Sequence, residues 1–119
     1  MEKIVEWSIP IHTVSEANCS EHWSKKSKRH NVQKKWIWAY FKRSGTKIPL
    51  PCHVKLTRLG KKLLDSDNLL TSMKWVRDAI AENLIPGLAV GRADDDHRIT
   101  WQYSQEISKE YFVVVTFFA

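Results

Sequence analysis

Residues 111–118 read YFVVVTFF, apolar at every position but one. A run this short, rich in β-branched and aromatic residues, is a strand rather than a helix. Its lack of polar alternation predicts that both faces are covered. Such a strand needs neighbours, and three other stretches supply them. RITWQY (98–103) alternates and is expected to form a hairpin with 111–118. PCHVKLTRL (51–59) alternates with His53, Lys55 and Thr57 on one face. KIVEWSI (3–9) is a strand ended by Pro10, and a polar loop follows over 11–22. Two helical patterns lie between: WSKKSKRHNVQKKWIWAYFKR (23–43), closed by Ser44-Gly45, and a stretch capped by Asn68 that runs to about Asn83 and stops at Pro86-Gly87. The order β-α-β-α-β-β predicts an α+β fold, with two helices on a small mixed sheet. The 119 residues carry no repeat, low-complexity run or linker, so 1–119 is read as a single domain.

Composition narrows the function classes. Apolar residues make up 43% of the chain, enough for a core, and no stretch reaches the length of a membrane span. The opening MEKIVEWSIPIH is charged and strand-like, so no secretory leader is expected. Two cysteines, Cys19 and Cys52, make no disulfide framework, and a reduced cytoplasmic protein is the simplest expectation. The net charge of +6 is unevenly spread. Residues 1–62 hold fourteen Lys/Arg against four Glu, a net +10, while residues 63–119 hold five against nine acids, a net −4. The first half suits a polyanion. A protein that binds phosphates broadly yet gathers acids in one place has a use for a divalent metal, which neutralises the acids and itself attracts phosphate.

On the first helix, Arg29, Val32, Trp36, Ala39 and Tyr40 share one mostly apolar side, and Lys28, Asn31, Lys35, Trp38 and Lys42 share another. The second stripe interleaves cations with an indole, which suits a nucleic-acid backbone with Trp38 stacked on an unpaired base. A solvated helix face explains the same pattern equally well. Lys25, Lys26, Arg29 and Arg43 extend the candidate DNA-binding surface. Most of the six tryptophans are expected in the core.

The acids fall into two clusters. In KKLLDSDNLLTSMKWVRDAI (61–80), Asp67, Thr71, Lys74 and Asp78 are spaced to line one helix face, and Leu69, Met73, Val76 and Ile80 line the other. Asp65 points the same way as Asp67 if the entry is extended, so Asp65, Asp67 and Lys74 can converge. An N-cap role for Asp67 or Asn68 accounts for one of these residues alone. ADDDHRITW places Asp94, Asp95 and Asp96 before a strand, where a solvated turn is the ordinary reading. Carboxylates from two elements with open positions are also what Mg²⁺ chemistry on phosphodiesters needs. Lys74 could then stabilise developing negative charge. An EF-hand counted from Asp65 fails, with Leu70 at its sixth position and Val76 at its twelfth. A zinc site from Cys19, His22, Cys52 and His53 lacks a second spaced pair. The four glycines build no P-loop or nucleophile elbow.

The ordered set DSDNL, KWVRDAIAENL, a Gly-containing loop, DDDHRITWQY and a final apolar strand resembles the RusA-like crossover-junction endonucleases of phages and prophages. Upstream, SEANCSEHWSKKSKRHNVQKKW resembles the phage branch, in which an Asn and a His-Trp precede a basic helix. The resemblance covers most of the chain. It implies a small homodimer that binds four-way DNA junctions and nicks paired strands with Mg²⁺ or Mn²⁺, in recombination or repair. It implies Asp65, Asp67 and Asp96 as catalytic metal ligands, with Asp94 and Asp95 as alternatives in the turn, and Lys74 as the catalytic lysine. Asn68 and Asp78 would support them, Asp78 by orienting Lys74. The family's shorter branch has its lysine near Thr71, about one helical turn away on the same face. No membrane or small-molecule cofactor enters this expectation. Two other readings compete: a non-catalytic nucleic-acid-binding protein on the same fold, and a nuclease selective for flaps or forks.

Overall fold

The computed structural model describes residues 1–15, 22–88 and 92–119. In chain order the elements are β1 (Lys3–Ile9), α1 (Trp23–Ser44), β2 (Cys52–Gly60), α2 (Ser66–Ser72), α3 (Lys74–Leu84), a 3₁₀ turn (Ala93–Asp95), β3 (Ile99–Ile107) and β4 (Phe112–Phe118). The protein is an α+β domain with a mixed four-stranded sheet in the order β1-β4-β2-β3. Among the described residues, no helix is long and apolar enough to cross a membrane.

The expected hairpin of the last two strands does not form. The most apolar strand, β4, lies inside the sheet, antiparallel to both β1 and β2. There it pairs on both edges while Val113, Val115 and Phe117 enter the core. The more polar β3 takes the edge and runs parallel to β2. The chain then crosses the end of β2, where the Ser108 amide donates to the Gly60 carbonyl (2.8 Å).

Alternation sorts the sheet into two faces. Trp7, Ile9, Val54, Leu56, Val113, Val115 and Phe117 face the helices with Met73, Val76, Ile80 and Ile37. On the far side, His53 bonds Thr100 (2.7 Å) and Gln102 (3.1 Å), and Thr57 bonds Ser104 (2.8 Å).

The helix α1 is capped by His22, whose Nδ1 accepts from the Ser24 amide (3.2 Å), and it ends at Gly45 with φ 63°, the left-handed turn glycine adopts freely. Its inward residues are Gln33 and Ile37, with Tyr40 and Phe41 packed against the core. The stripe of Val32, Trp36 and Ala39 therefore faces outward instead. Of the tryptophans only Trp7 is a core residue; Trp23 is 74% and Trp38 55% exposed. The helix between Asn68 and Asn83 is broken at Met73. The Ser72 and Thr71 hydroxyls donate back to the carbonyls of Leu69 (2.7 Å) and Asn68 (3.2 Å), a competition that weakens the continuing ladder.

Phe117 is fully buried and meets Trp7 and Phe41 edge-on. Phe117→Ala should lower stability by about 3–5 kcal/mol. A urea melt followed by tryptophan fluorescence measures it, and a loss below about 1 kcal/mol would show that this cluster is not the core's centre.

Candidate functional site

The site begins where β2 ends. Arg58 Nη1 donates to the Lys62 carbonyl (2.8 Å), bracing the turn. The Gln105 amide group on β3 then clamps Leu64, accepting from its N–H (2.9 Å) and donating to its carbonyl (2.6 Å). The clamped chain enters α2 at Asp65. One Asp65 carboxylate oxygen accepts from the Asn68 amide (2.9 Å), and the other accepts from the Asn68 side chain (3.0 Å). Asp65 is thus the N-cap of α2, a role the sequence reading gave to Asp67 or Asn68. Asn68 Oδ1 in turn accepts from the Ser15 hydroxyl, which ties the segment after β1 to the same corner. Asp67 lies in the first turn of α2, exposed, with no hydrogen bond or ion pair among the described residues.

Farther along β3, Tyr103 and Trp101 receive the second acidic segment. Arg77 of α3 lies over the Trp101 ring (4.7 Å) and donates through Nη1 to the Tyr103 hydroxyl (2.9 Å) and through Nη2 to the Asp94 carbonyl (3.0 Å). Trp101 Nε1 donates to the same carbonyl (3.1 Å). The Asp94 carboxylate forms an ion pair with Arg77 Nε (3.3 Å) whose geometry falls short of an aligned hydrogen bond. Asp95 stands 3.9 Å from Arg77 Nη2 and is largely exposed. Leu70, Thr71, Lys74, Arg77, Asp94, Asp95 and Tyr103 line one open depression of about 320 Å³. Asp94 and Asp95 therefore share a surface with Lys74, and Thr71, the position of the shorter-branch lysine, lies on it too.

Asp96, the acid expected to complete the set, faces Arg98. Its Oδ1 accepts from Arg98 Nε (2.9 Å) and from the Arg98 amide (3.0 Å), and its Oδ2 accepts from Arg98 Nη2 (3.0 Å). These bonds hold its carboxyl well below the usual carboxylate range. Among the described residues, no three His, Cys, Asp or Glu side chains converge to hold a metal ion by themselves. The zinc alternative fares no better: Cys52 is buried, His22 caps α1, and Cys19 lies outside the described residues.

Asp78, on α3 beyond Lys74, is pushed up to about 6 by burial first and then by the nearby Asp94 carboxylate; Lys74 partly offsets this. Lys74 lies 5.0 Å from the Trp75 ring and is exposed. Like charges crowded beside two cations mark a place where charge is held at a cost. Arg77, Gln105 and Tyr103 were missed in the sequence. Their signal was their place at alternate positions of β3 and on the core-facing turn of α3, legible once the strand pairing is known.

The cationic candidates lie along α1. Lys25, Lys28, Lys35, Lys42 and Arg43 are exposed, and Lys26 and Arg29 are half-buried. Lys42 lies 5.6 Å from the exposed Trp38 ring. Lys34 pairs instead with Glu82 of α3 (3.5 Å), and His30 stacks on Trp75 (4.0 Å), so this side of α1 docks on α3. Compared with known proteins, the chain matches no family model, no curated protein and no solved structure.

Asp78 gives a sign-definite prediction. Its carboxyl titrates at the ordinary 3.8 when unfolded and at about 6 when folded. The fold therefore favours the protonated form, and wild-type stability falls as pH rises through that window. Asp78→Asn should be more stable than wild type at pH 7.5 in EDTA by about 1 kcal/mol, after allowance for solvent screening. The gap should close below about pH 4. Thermal melts across pH measure it, and a variant no more stable at pH 7.5 would contradict the crowded-charge account.

Proposed function

We propose that the protein is a metal-dependent endonuclease that cuts branched DNA, four-way junctions above all, as a homodimer acting in recombination or repair. The observation that carries this reading is the helix-side face of β3. Gln105 holds the segment that leads to Asp65 and Asp67, and Tyr103 and Trp101 hold the turn of Asp94 and Asp95. Two positions along a strand are about 7 Å apart. Two acidic segments from distant parts of the sequence are thus held from neighbouring positions of one strand; Lys74 shares a depression with Asp94 and Asp95, which Asp65 and Asp67 do not line. The exposed cations of α1 add a surface for the phosphate backbone. Paired cuts on a two-fold substrate call for two copies of the site.

The donor set fits Mg²⁺ or Mn²⁺. Such ions are usually held by one or two carboxylates, with water and substrate phosphate completing the shell, so no closed protein cage is required. Asp67 and Asp95 are exposed hard-oxygen donors, and Asp94, on the Arg77 side, shares a depression with Asp95 and Lys74. When bound, the ion polarises a phosphoryl oxygen and lowers the pKa of an attacking water. The protein's own groups do the rest. Lys74 Nζ offsets negative charge that develops on the phosphate. Arg77 fixes Asp94 by its carbonyl and its carboxylate together. Asp65 serves mainly by starting α2, which orients Asp67. In this assignment the acid of the turn is Asp94 or Asp95, because Asp96 is already matched to Arg98.

The absence of a three-acid cluster among the described residues favours one other reading, a DNA-binding protein without catalysis. Incubation with a four-way junction, a flap and a linear duplex, in Mg²⁺ or in EDTA, separates the two. Wild type should nick the junction in pairs only with metal. Asp67→Asn should keep junction binding and lose cutting, and Lys74→Ala should slow cutting about 100-fold. Tight binding without cutting by the wild type, in Mg²⁺ and in Mn²⁺, would leave the binding reading.

A further inference from the structure

A second group of cations lies on the helix side of the sheet, at the end where β1 and β2 finish and β4 begins. Arg58, near the end of β2, is only 5% exposed. Among the described residues its guanidinium donates one bond, to the Lys62 carbonyl, and its Nε has no partner. It lies over Gly60, where a Cβ would come within 2.9 Å of both terminal nitrogens. Tyr111 is the hub of the group: the Arg58 guanidinium lies 6.0 Å and the Lys61 ammonium 5.9 Å from its ring, and His12 stacks on it at 3.6 Å with 18° between the planes. Neither Arg58 nor Lys61 pairs with a carboxylate among the described residues. A buried guanidinium without a counter-ion is costly, and an anion is the natural relief.

The surroundings indicate which anion. A depression of about 350 Å³ runs from His12 to α1, where Lys28, Arg29 and Trp36 line it. Its wall includes Gln33, 2% exposed, whose amide oxygen and nitrogen both lack partners among the described residues. The cluster is thus continuous with the basic face of α1. On its other side it is tied to the Asp65 corner twice, by the Arg58 bond to Lys62 and by the Ser15 bond to Asn68. A small free anion would need no such continuity, whereas a strand of DNA would use both ends of it.

We infer that Arg58, Lys61 and His12, gathered around Tyr111, form a second phosphate site that grips one phosphodiester of a DNA strand passing between α1 and the entry to α2. This rests on the nuclease reading only in taking DNA as the ligand. None of these residues belongs to the Lys74 depression, and they act on binding, not on cutting.

The test is the binding of a fluorescent four-way junction in EDTA at several salt concentrations. Lys61→Ala removes one phosphate contact. It should weaken binding about tenfold and reduce the slope of log K against log salt by about one. Gly60→Ala shifts the Arg58 guanidinium without removing any charge, and should weaken binding in the same direction at a temperature where circular dichroism shows the variant folded. Lys47→Ala, an exposed cation outside the group, should leave the slope as it is. If the wild type binds and both Lys61→Ala and Gly60→Ala keep its affinity and slope, the second site is wrong and the nuclease reading stands. If both variants weaken binding but the wild type never cuts in Mg²⁺, the second site holds and the nuclease reading fails. A wild type that binds no DNA overturns both.

Discussion

Because β2 and β3 run parallel, the chain between them must travel back along the sheet before β3 can start. That return is made by α2 and α3, and both acidic segments belong to it: Asp65 and Asp67 where it leaves β2, Asp94 and Asp95 where it approaches β3. The crossover rests on the inward side chains of β3, and these fix the acids. Gln105 takes the outgoing chain by two hydrogen bonds, Trp101 takes the incoming turn directly, and Tyr103 takes it through Arg77. Had β3 formed a hairpin with β4, it would not have run beside β2, and this shared face would not exist.

The same packing explains the electrostatics. Half-buried Arg77 draws Asp94 inward, and Asp94 then raises the proton affinity of Asp78. Asp96 escapes this crowding through its fork-like pairing with Arg98, which commits both of its oxygens. The three consecutive aspartates therefore have three different fates: one fixed at the site, one exposed at its rim and one spent on its neighbour. On the opposite arm of the crossover, Asp65 is spent on capping and Asp67 is left available.

Much of this was legible in the sequence. The strands, the basic helix and the α+β class follow from periodicity and from stop signals at Pro10, Gly45 and Pro86. Candidates Lys74, Asp94 and Asp95 line one depression, while Asp67 stands exposed in the first turn of α2. What could not be read depends on contacts distant in sequence. The order of strands turns on which of them tolerates an edge, and the polar β3 does so better than β4. The break at Met73 comes from hydroxyls of Thr71 and Ser72 that helical spacing ignores. The outward Val32, Trp36 and Ala39 stripe shows that an apolar helix side need not be the packed one, since Gln33 and Ile37 face inward here. The choice among Asp94, Asp95 and Asp96 depends on which cation each meets: Arg98 lies two residues from Asp96 in the sequence, but Arg77 comes to Asp94 only through the fold.

The proposed site requires the two acidic segments to serve one cation beside Lys74. Paramagnetic broadening of backbone amide signals by substoichiometric Mn²⁺ tests it most directly. A shared cation broadens the amides of Asp67, Lys74, Asp94 and Asp95 together, and Mg²⁺ in excess restores them. Broadening confined to one acidic segment, or spread without preference over every exposed acid, would contradict a shared site.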